Sequence, residues 1–480
     1  MNRRMVLYVV GTVIKIEAAL MLLPLITSLI YKESCVSSIL ASIGIALVAG
    51  FALTLIFKPG SKVIYAKEGF VIVSLAWLAL SAVGALPFYI SGEIPSYIDA
   101  FFETVSGFTT TGASILTDVE SMSKGLLFWR SFTHWIGGMG VLVFIMAILP
   151  SVSDRSIHLL RAEAPGPIVG KIVPKIKQTA RILYIIYIAL TFLEMLFLLA
   201  GGMPLYDSIV HAVGTAGTGG FGIKADSLGS YSPYIQWVVT IFMLLFGVNF
   251  NLYYFILIKK FRSAIRNEEL MTYGAIVLFS IAAICVNIAP LYETVAESLR
   301  HSAFQVAAVI STTGFATVDF NQWPGLSKTI LLILMFIGGC AGSTAGGFKV
   351  SRIVLLLKNI KRELQKLLHP RAVAAVRLDG KRIDEKTIGS LGAYLAIYAL
   401  FLCVVVFLLG LDKFDLETNI SVAASCVNNI GPGFGAAGPM DGYAMFSPFS
   451  KVILSLTMLL GRLEIFPLII TFSPSTWVKK

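Results

Sequence analysis

Ten separate stretches of this chain are long and apolar enough to be read as membrane-crossing helices, and no other feature limits the possible folds so sharply. A crossing takes about 20 mainly apolar residues. The runs lie over 5–30, 36–57, 69–91, 128–150, 180–202, 235–258, 272–291, 327–357, 387–411 and 448–472. In hydrocarbon every backbone polar group needs an internal partner, so runs of this length resolve as helices. Only 14% of the 480 residues are charged, about half the share in a soluble domain, which excludes a water-soluble globular protein. The first run is too long for the apolar core of a signal peptide, lacks a small-residue cleavage site and is followed at once by a second run, so it reads as a retained span. Cys35, Cys285, Cys340, Cys403 and Cys426 are scattered without metal-ligand spacing and read as small apolar fillers.

The net charge of +11 would form a basic stripe on a polar surface in a nucleic-acid-binding protein. This chain is too apolar to have such a surface, and no nucleic-acid partner is expected. Sorting the charges explains the surplus instead. With a cytoplasmic N-terminus and alternating spans, the inside segments 1–4, 58–68, 151–181, 259–270, 349–386 and 473–480 hold 28 of the 38 Lys and Arg and only nine acids. The outside loops are acid-rich, with Glu93, Asp99, Glu103, Asp207, Glu297 and Glu417 among them. This is the positive-inside pattern, and the outer acids suggest a funnel that concentrates cations.

After the first two spans the other eight pair off, and each pair is joined by an outside loop of one design. A half-length apolar stretch (96–106, 205–213, 297–309 and 416–427) leads into a Gly/Thr cluster: Thr109-Thr-Thr-Gly112, Gly217-Thr-Gly219, Thr312-Thr-Gly314 and Asn429-Ile-Gly-Pro-Gly433. Aligned on Gly112, Gly219, Gly314 and Gly433, the repeats are 107, 95 and 119 residues apart. Such internal repetition outranks any finer reading of the chain. A half-helix followed by a glycine-rich loop reads as a re-entrant pore loop, because irregular backbone at membrane depth survives only in protein or beside water. Four such loops around one axis would set rings of carbonyl oxygens in place of an ion's water shell, with the half-helix C-terminal ends favouring a cation. The filter candidates are Thr110, Thr111, Gly112, Thr218, Gly219, Thr312, Thr313, Gly314, Asn429, Gly431 and Gly433. For any single loop, Gly and Thr marking a turn between spans is the alternative. Two G-x-G-x-x-G matches, at Gly217 and Gly433, follow no strand and carry no dinucleotide reading.

Four motifs together resemble the Trk/Ktr superfamily of potassium transporters, in its TrkH-type translocation subunit. They are Thr109-Thr-Thr-Gly112, His134-Trp-Ile-Gly-Gly-Met-Gly140, Gly338-Gly-Cys-Ala-Gly-Ser-Thr-Ala-Gly-Gly347 and Asn429-Ile-Gly-Pro-Gly433, and the similarity runs from about residue 70 to the end. The resemblance implies an all-α polytopic membrane protein: an N-terminal hairpin (1–57), then pore repeats over 58–155, 156–266, 267–375 and 376–480 around a pseudo-fourfold axis. It implies potassium uptake across the plasma membrane of a prokaryote, a homodimer among membrane lipids and a cytosolic nucleotide-binding regulatory subunit, a TrkA-like ring. No cofactor is expected in the chain, with potassium ion as substrate. Glycine in the filter of all four repeats goes with potassium in this family, and serine in the first repeat with sodium. A sodium-selective, or sodium- or proton-coupled, transporter of the same fold is the alternative.

The eighth run is too long for a straight crossing and is interrupted by Gly338, Gly339, Gly342, Ser343, Thr344, Gly346 and Gly347. Glycines at that density do not hold a helix, each costing about 1 kcal/mol relative to alanine. The segment reads as a plug under the filter, chiefly on the resemblance; a small-residue packing patch is the alternative. Arg462 lies deep in the last run, where a charge faces a bundle interior or water. The repeat alignment and the resemblance together put it on the pore side, touching carbonyls of the 338–347 loop; a structural ion pair is the alternative. Lys15 and Glu17 read as structural, Arg130 as interfacial or bracing a pore helix, and Glu194 is unassigned. The basic segment 358–386 is lipid-facing or docks the regulatory subunit. An intramembrane enzyme using Ser343 or His134 ranks below transport, because it does not call for four aligned pore loops; the chain is not expected to be an enzyme.

Overall fold

The computed structural model describes residues 1–60, 64–140, 176–370 and 375–477. The end of the fourth run (141–150), most of the basic segment 151–181, the boundary near 155 between the first two repeats, and Arg371 lie outside the described residues. Helix dominates, and the strands among the described residues are a two-residue hairpin, Arg377–Leu378 with Lys381–Arg382.

Among the described residues six helices are long and apolar enough to cross a membrane: Arg3–Tyr31, Val36–Ile56, Lys67–Ser91, Gln178–Ala200, Glu268–Leu291 and Glu385–Asp412. The first two form a hairpin in which Gly11 packs closely against Gly50. A β-carbon on Gly50 would lie 2.9 Å from the Gly11 carbonyl oxygen, which is why two small residues sit there. Lys15 donates to Thr54 Oγ1 at 3.1 Å, while the carboxylate of Glu17 is buried without a hydrogen-bond partner among the described residues.

The remaining long helices open the four repeats, and in each a short pore helix follows. Some closing helices depart from expectation. In the second and fourth repeats, runs read from the sequence as unbroken spans are broken, and in the third the expected interruption at 338–347 is present. Pro233–Phe246 and Phe250–Leu257 meet at 91°, and Pro448–Arg462 and Phe466–Phe472 at 119°. In the third repeat Gly325–Ile337 stops at Gly338, and helix resumes only at Val350–Leu368. Hydropathy counts apolar residues and is blind to these corners. The breaks come from local chemistry: Asn249 caps a new helix through its side chain, and Gly338 takes a left-handed φ of 71°. Glu464 and Ile465 both have positive φ just ahead of Pro467, whose ring starts the next helix rather than continuing the last.

Candidate functional site

The pore helices are Tyr97–Phe108, Leu205–Gly217, Val295–Ile310 and Leu416–Asn428. Each carries an acid in its first turn: Asp99, Asp207, Glu297 and Glu417. There the negative charge meets the positive end of the helix dipole. Several outer acids are engaged elsewhere: Glu103 holds Arg130 at 2.6 Å, Lys451 holds Asp99 at 2.7 Å, and Glu33 accepts from the N–H groups of Lys124 and Gly125. The acid-rich loops therefore serve helix ends and braces first. The cavity of about 620 Å³ at the pore-loop mouth has Asp441 on its wall together with Lys224 and Arg130, which is not an acidic funnel.

All four pore helices end alike. The residues Thr110, Thr218, Thr312 and Asn429 adopt left-handed φ of 55–56°. The next N–H in each loop reaches five residues back: Thr111 to Ser106, Gly219 to Gly214, Thr313 to Ala308 and Ile430 to Ser425, at 2.8–3.0 Å. This is the Schellman closure, repeated four times.

The following residue in each loop is a glycine of positive φ: Gly112 (80°), Gly220 (77°), Gly314 (79°) and Gly431 (106°). A β-carbon on Gly112 would lie 2.0 Å from the Gly219 carbonyl oxygen; on Gly220, 1.9 Å from that of Thr313; on Gly314, 2.0 Å from that of Ile430; and on Gly431, 2.7 Å from that of Thr111. Each loop thus leans on the next, and the fourth on the first. The ring closes on itself, and only glycine fits at its four joints. All four of these glycines line the mouth cavity.

The geometry corrects the register. Alignment by glycine matches Gly219 and Gly433 to Gly112 and Gly314, whereas the backbone equivalents are Gly220 and Gly431. Gly219 supplies the carbonyl one step earlier, level with Thr111, Thr313 and Ile430. Its α-carbon faces the His134 ring, which a β-carbon would strike at 2.1 Å. Gly433 lies past Pro432 and packs on Ser421, away from the joint. The threonine hydroxyls differ in use. Thr110 Oγ1 is buried without a hydrogen-bond partner among the described residues. Thr218 donates to Gly217 O at 2.6 Å, and Thr313 shares a hydrogen bond with Ser311 at 2.7 Å. Asn429 Nδ2 donates to Thr111 Oγ1 and to Met458 O, each at 2.9 Å.

Beneath the ring, 338–347 crosses as irregular backbone. Its Gly346 N–H donates to Thr312 Oγ1 at 2.6 Å, and its Gly347 N–H to Asn428 O at 3.0 Å. Cys340 N–H reaches Gly247 O (2.9 Å), and Gly342 O accepts from Phe250 N–H (3.0 Å), both at the corner of the second repeat. Thr344 Oγ1 donates to Phe246 O at 3.2 Å, and Ser343 Oγ to Cys340 O at 2.7 Å. Gly346 must be glycine, because a β-carbon would meet Asn428 O at 2.2 Å. Arg462 ends its helix with three donations: to Thr344 O at 2.9 Å, Gly137 O at 2.6 Å and Gly138 O at 2.8 Å. Its charge meets the negative end of Lys124–Gly138. The carboxylate of Glu464 pairs with Arg352 at 2.6 Å. The 338–347 loop therefore touches the third, fourth and second repeats directly and the first through Arg462.

Sequence reasoning missed two groups here, Glu269 and Lys349. Glu269 Oε1 accepts from the N–H groups of Ala341 (2.6 Å) and Ser351 (3.1 Å), gripping both flanks of the interruption. Lys349 is buried and donates to Ala345 O. Arg130, left as interfacial or bracing, braces: it is buried, pairs with Glu103 and donates to Gly222 O at 2.9 Å. An acid one residue inside a span, as at Glu269, was the available signal.

Against known proteins, the chain matches the family described as TrkH, cation transport protein, over residues 37–479. The chain belongs to the TrkH family. It is 36% identical to the Trk system potassium uptake protein TrkH of Salmonella typhimurium, an alignment covering 99% of this chain and 100% of the relative. It is 33% identical to the Trk system potassium uptake protein TrkG of Escherichia coli, covering 99% and 98%. Its fold matches the crystal structure of the potassium transporter TrkH from Vibrio parahaemolyticus at a TM-score of 0.89 and 31% identity, with 100% of both chains covered. As a TrkH-family member with helices of this length and apolarity, it is a multi-pass membrane protein of a transport family, built as two leading helices and four helix–pore-loop–helix repeats.

Proposed function

We propose that this chain takes up potassium through the closed ring of pore loops, with the 338–347 loop and Arg462 as its gate. The observation that carries the reading is the cyclic contact of Gly112, Gly220, Gly314 and Gly431 with the carbonyl of the neighbouring repeat. Four loops joined in that order bring the carbonyls of Thr111, Gly219, Thr313 and Ile430 to one level around an axis, where they can replace a cation's water shell. The four pore helices point their partly negative ends at the same place, adding field without a fixed charge. The loop under the ring obstructs the path, and its many glycines lower the cost of rearranging it.

The relatives named as potassium uptake proteins support potassium as the ion. The charge asymmetry supports a cytoplasmic N-terminus in the plasma membrane of a prokaryote. The family supports a homodimer and a cytosolic nucleotide-binding partner, for which the basic stretch after Val350 is the candidate contact. Purified chain in liposomes under a potassium gradient tests the reading: uptake of potassium or rubidium is expected, and Gly112→Ser, whose β-carbon would press on the Gly219 carbonyl oxygen, should lose the preference for potassium. A chain that moves no potassium, with and without a cytosolic partner, would sink it.

A further inference from the structure

One quarter of the ring differs from the other three. The carbonyl oxygen of Gly431 accepts two hydroxyls, Tyr443 Oη at 2.6 Å and Ser425 Oγ at 2.8 Å. Among the described residues no hydrogen bond reaches the carbonyls of Gly112, Gly220 or Gly314. The backbone differs to match, with Gly431 at φ 106° against 77–80° at its three counterparts. The difference is built into the sequence. At the helix position of Ser425 the other repeats have Ser106, Gly214 and Ala308, and the Ser106 hydroxyl makes no hydrogen bond among the described residues. Twelve residues after the ring glycine, where the fourth repeat has Tyr443, the others have Lys124, Ser232 and Leu326.

Tyr443 is fixed as well as placed. It is buried, its ring lies beside those of Phe102 and Phe446, each 5.6 Å away between centroids, and its N–H donates to Ser114 O of the first repeat at 2.8 Å. A hydroxyl held this firmly keeps its partner carbonyl where it is. A carbonyl oxygen has two lone pairs, and here both are engaged by hydroxyls, leaving little of its field for a passing ion.

We propose that Tyr443 and Ser425 are specificity-determining residues: by occupying the Gly431 carbonyl they leave three free carbonyls rather than four at that level of the ring, which relaxes discrimination among alkali cations. The inference rests on the transport reading above. Carbonyl-lined sites favour potassium over sodium according to the number and field of their oxygens, so releasing the fourth carbonyl sharpens the preference.

The test is uptake of potassium, rubidium and sodium, each alone and in competition, by the full chain in liposomes. Tyr443→Phe keeps the buried ring and deletes one donor; Ser425→Ala deletes the other. A rise in the potassium-to-sodium ratio of roughly two- to tenfold is expected for each, the span commanded by one net hydrogen bond, with a larger rise in the double variant. Ratios equal to the parent chain's in both single variants overturn the inference. A lowered ratio also overturns it, because the tyrosine is then only a strut holding the filter in shape. Failure of the transport reading looks different: the unmodified chain itself carries no potassium, and no ratio exists to compare.

Discussion

The hydroxyl of Thr312 accepts a hydrogen bond from the Gly346 N–H at 2.6 Å, joining the ring directly to the loop beneath it. Ring and loop are therefore coupled through one removable contact. Thr312→Val keeps the shape and deletes the acceptor, leaving a buried N–H unpaired at about 1–3 kcal/mol. The closed position of the loop is the one that loses this energy, so basal cation flux should rise by about tenfold, and Thr312→Ser should restore it. Flux into liposomes is the measurement; parent-level flux in the valine variant would mean that the contact does not hold the loop.

The ring joints predict a sharp contrast between neighbouring glycines. Gly431→Ala introduces a β-carbon at positive φ and 2.7 Å from a backbone oxygen, whereas a β-carbon on Gly433 would meet nothing closer than the Ser421 hydroxyl, at 3.0 Å. Gly220→Ala would lie 1.9 Å from Thr313 O, while the nearest atom to a β-carbon on Gly222 is 3.4 Å away. Potassium uptake should collapse in the Gly431 and Gly220 variants and survive largely intact at Gly433 and Gly222. The opposite pattern would restore the alignment made on glycine identity.

Arg462 binds three carbonyls from two repeats. Charge-assisted hydrogen bonds contribute about 1.5–3 kcal/mol each, so Arg462→Ala should free the 338–347 loop and remove a positive charge from the ion path together. Flux should rise by more than in Thr312→Val. Arg462→Lys keeps the charge but has no planar fork to span several carbonyls, and it should fall between. Equal flux in all three chains would assign Arg462 a purely structural role.

Glu103 anchors a buried network, pairing with Arg130 and accepting from Ser114 Oγ and the Ile115 N–H, both at 2.9 Å. Glu103→Ala strands the guanidinium, a change that costs about 3–5 kcal/mol in buried pairs. Thermal unfolding in detergent should shift down markedly, while replacing the surface carboxylate in Glu417→Ala, whose partner is Lys328, should shift it little. Similar melting of the two variants would contradict the burial argument.

The sequence disclosed what depends on composition and period. Apolar runs located the spans, and the half-length stretches located the four pore helices to within a few residues. The glycine clusters pointed to the loops. It hid what depends on single dihedrals. Gly219 and Gly220 are adjacent and chemically identical, so nothing but backbone geometry could say which one is the joint. Gly431 and Gly433 posed the same ambiguity across Pro432. The corners after Gly247 and at Ile465 were invisible because an apolar run keeps its hydropathy when the chain turns. Glu269 escaped because its partners are backbone N–H groups 72 and 82 residues away, and no pattern in one sequence records such a pairing.

A ring assembled from four identical subunits must repeat every insertion four times, and four copies of a plug the size of 338–347 would compete for one channel's worth of space. Here the ring is a single polypeptide, and that restriction is gone. Among the described residues the third repeat alone carries the interruption, the fourth alone carries the arginine that meets it, and the second contributes the corner on which it rests. Division of labour among quarters is what covalent continuity permits. It also means that a single substitution enters one quadrant once, where a ring of identical subunits would carry it four times.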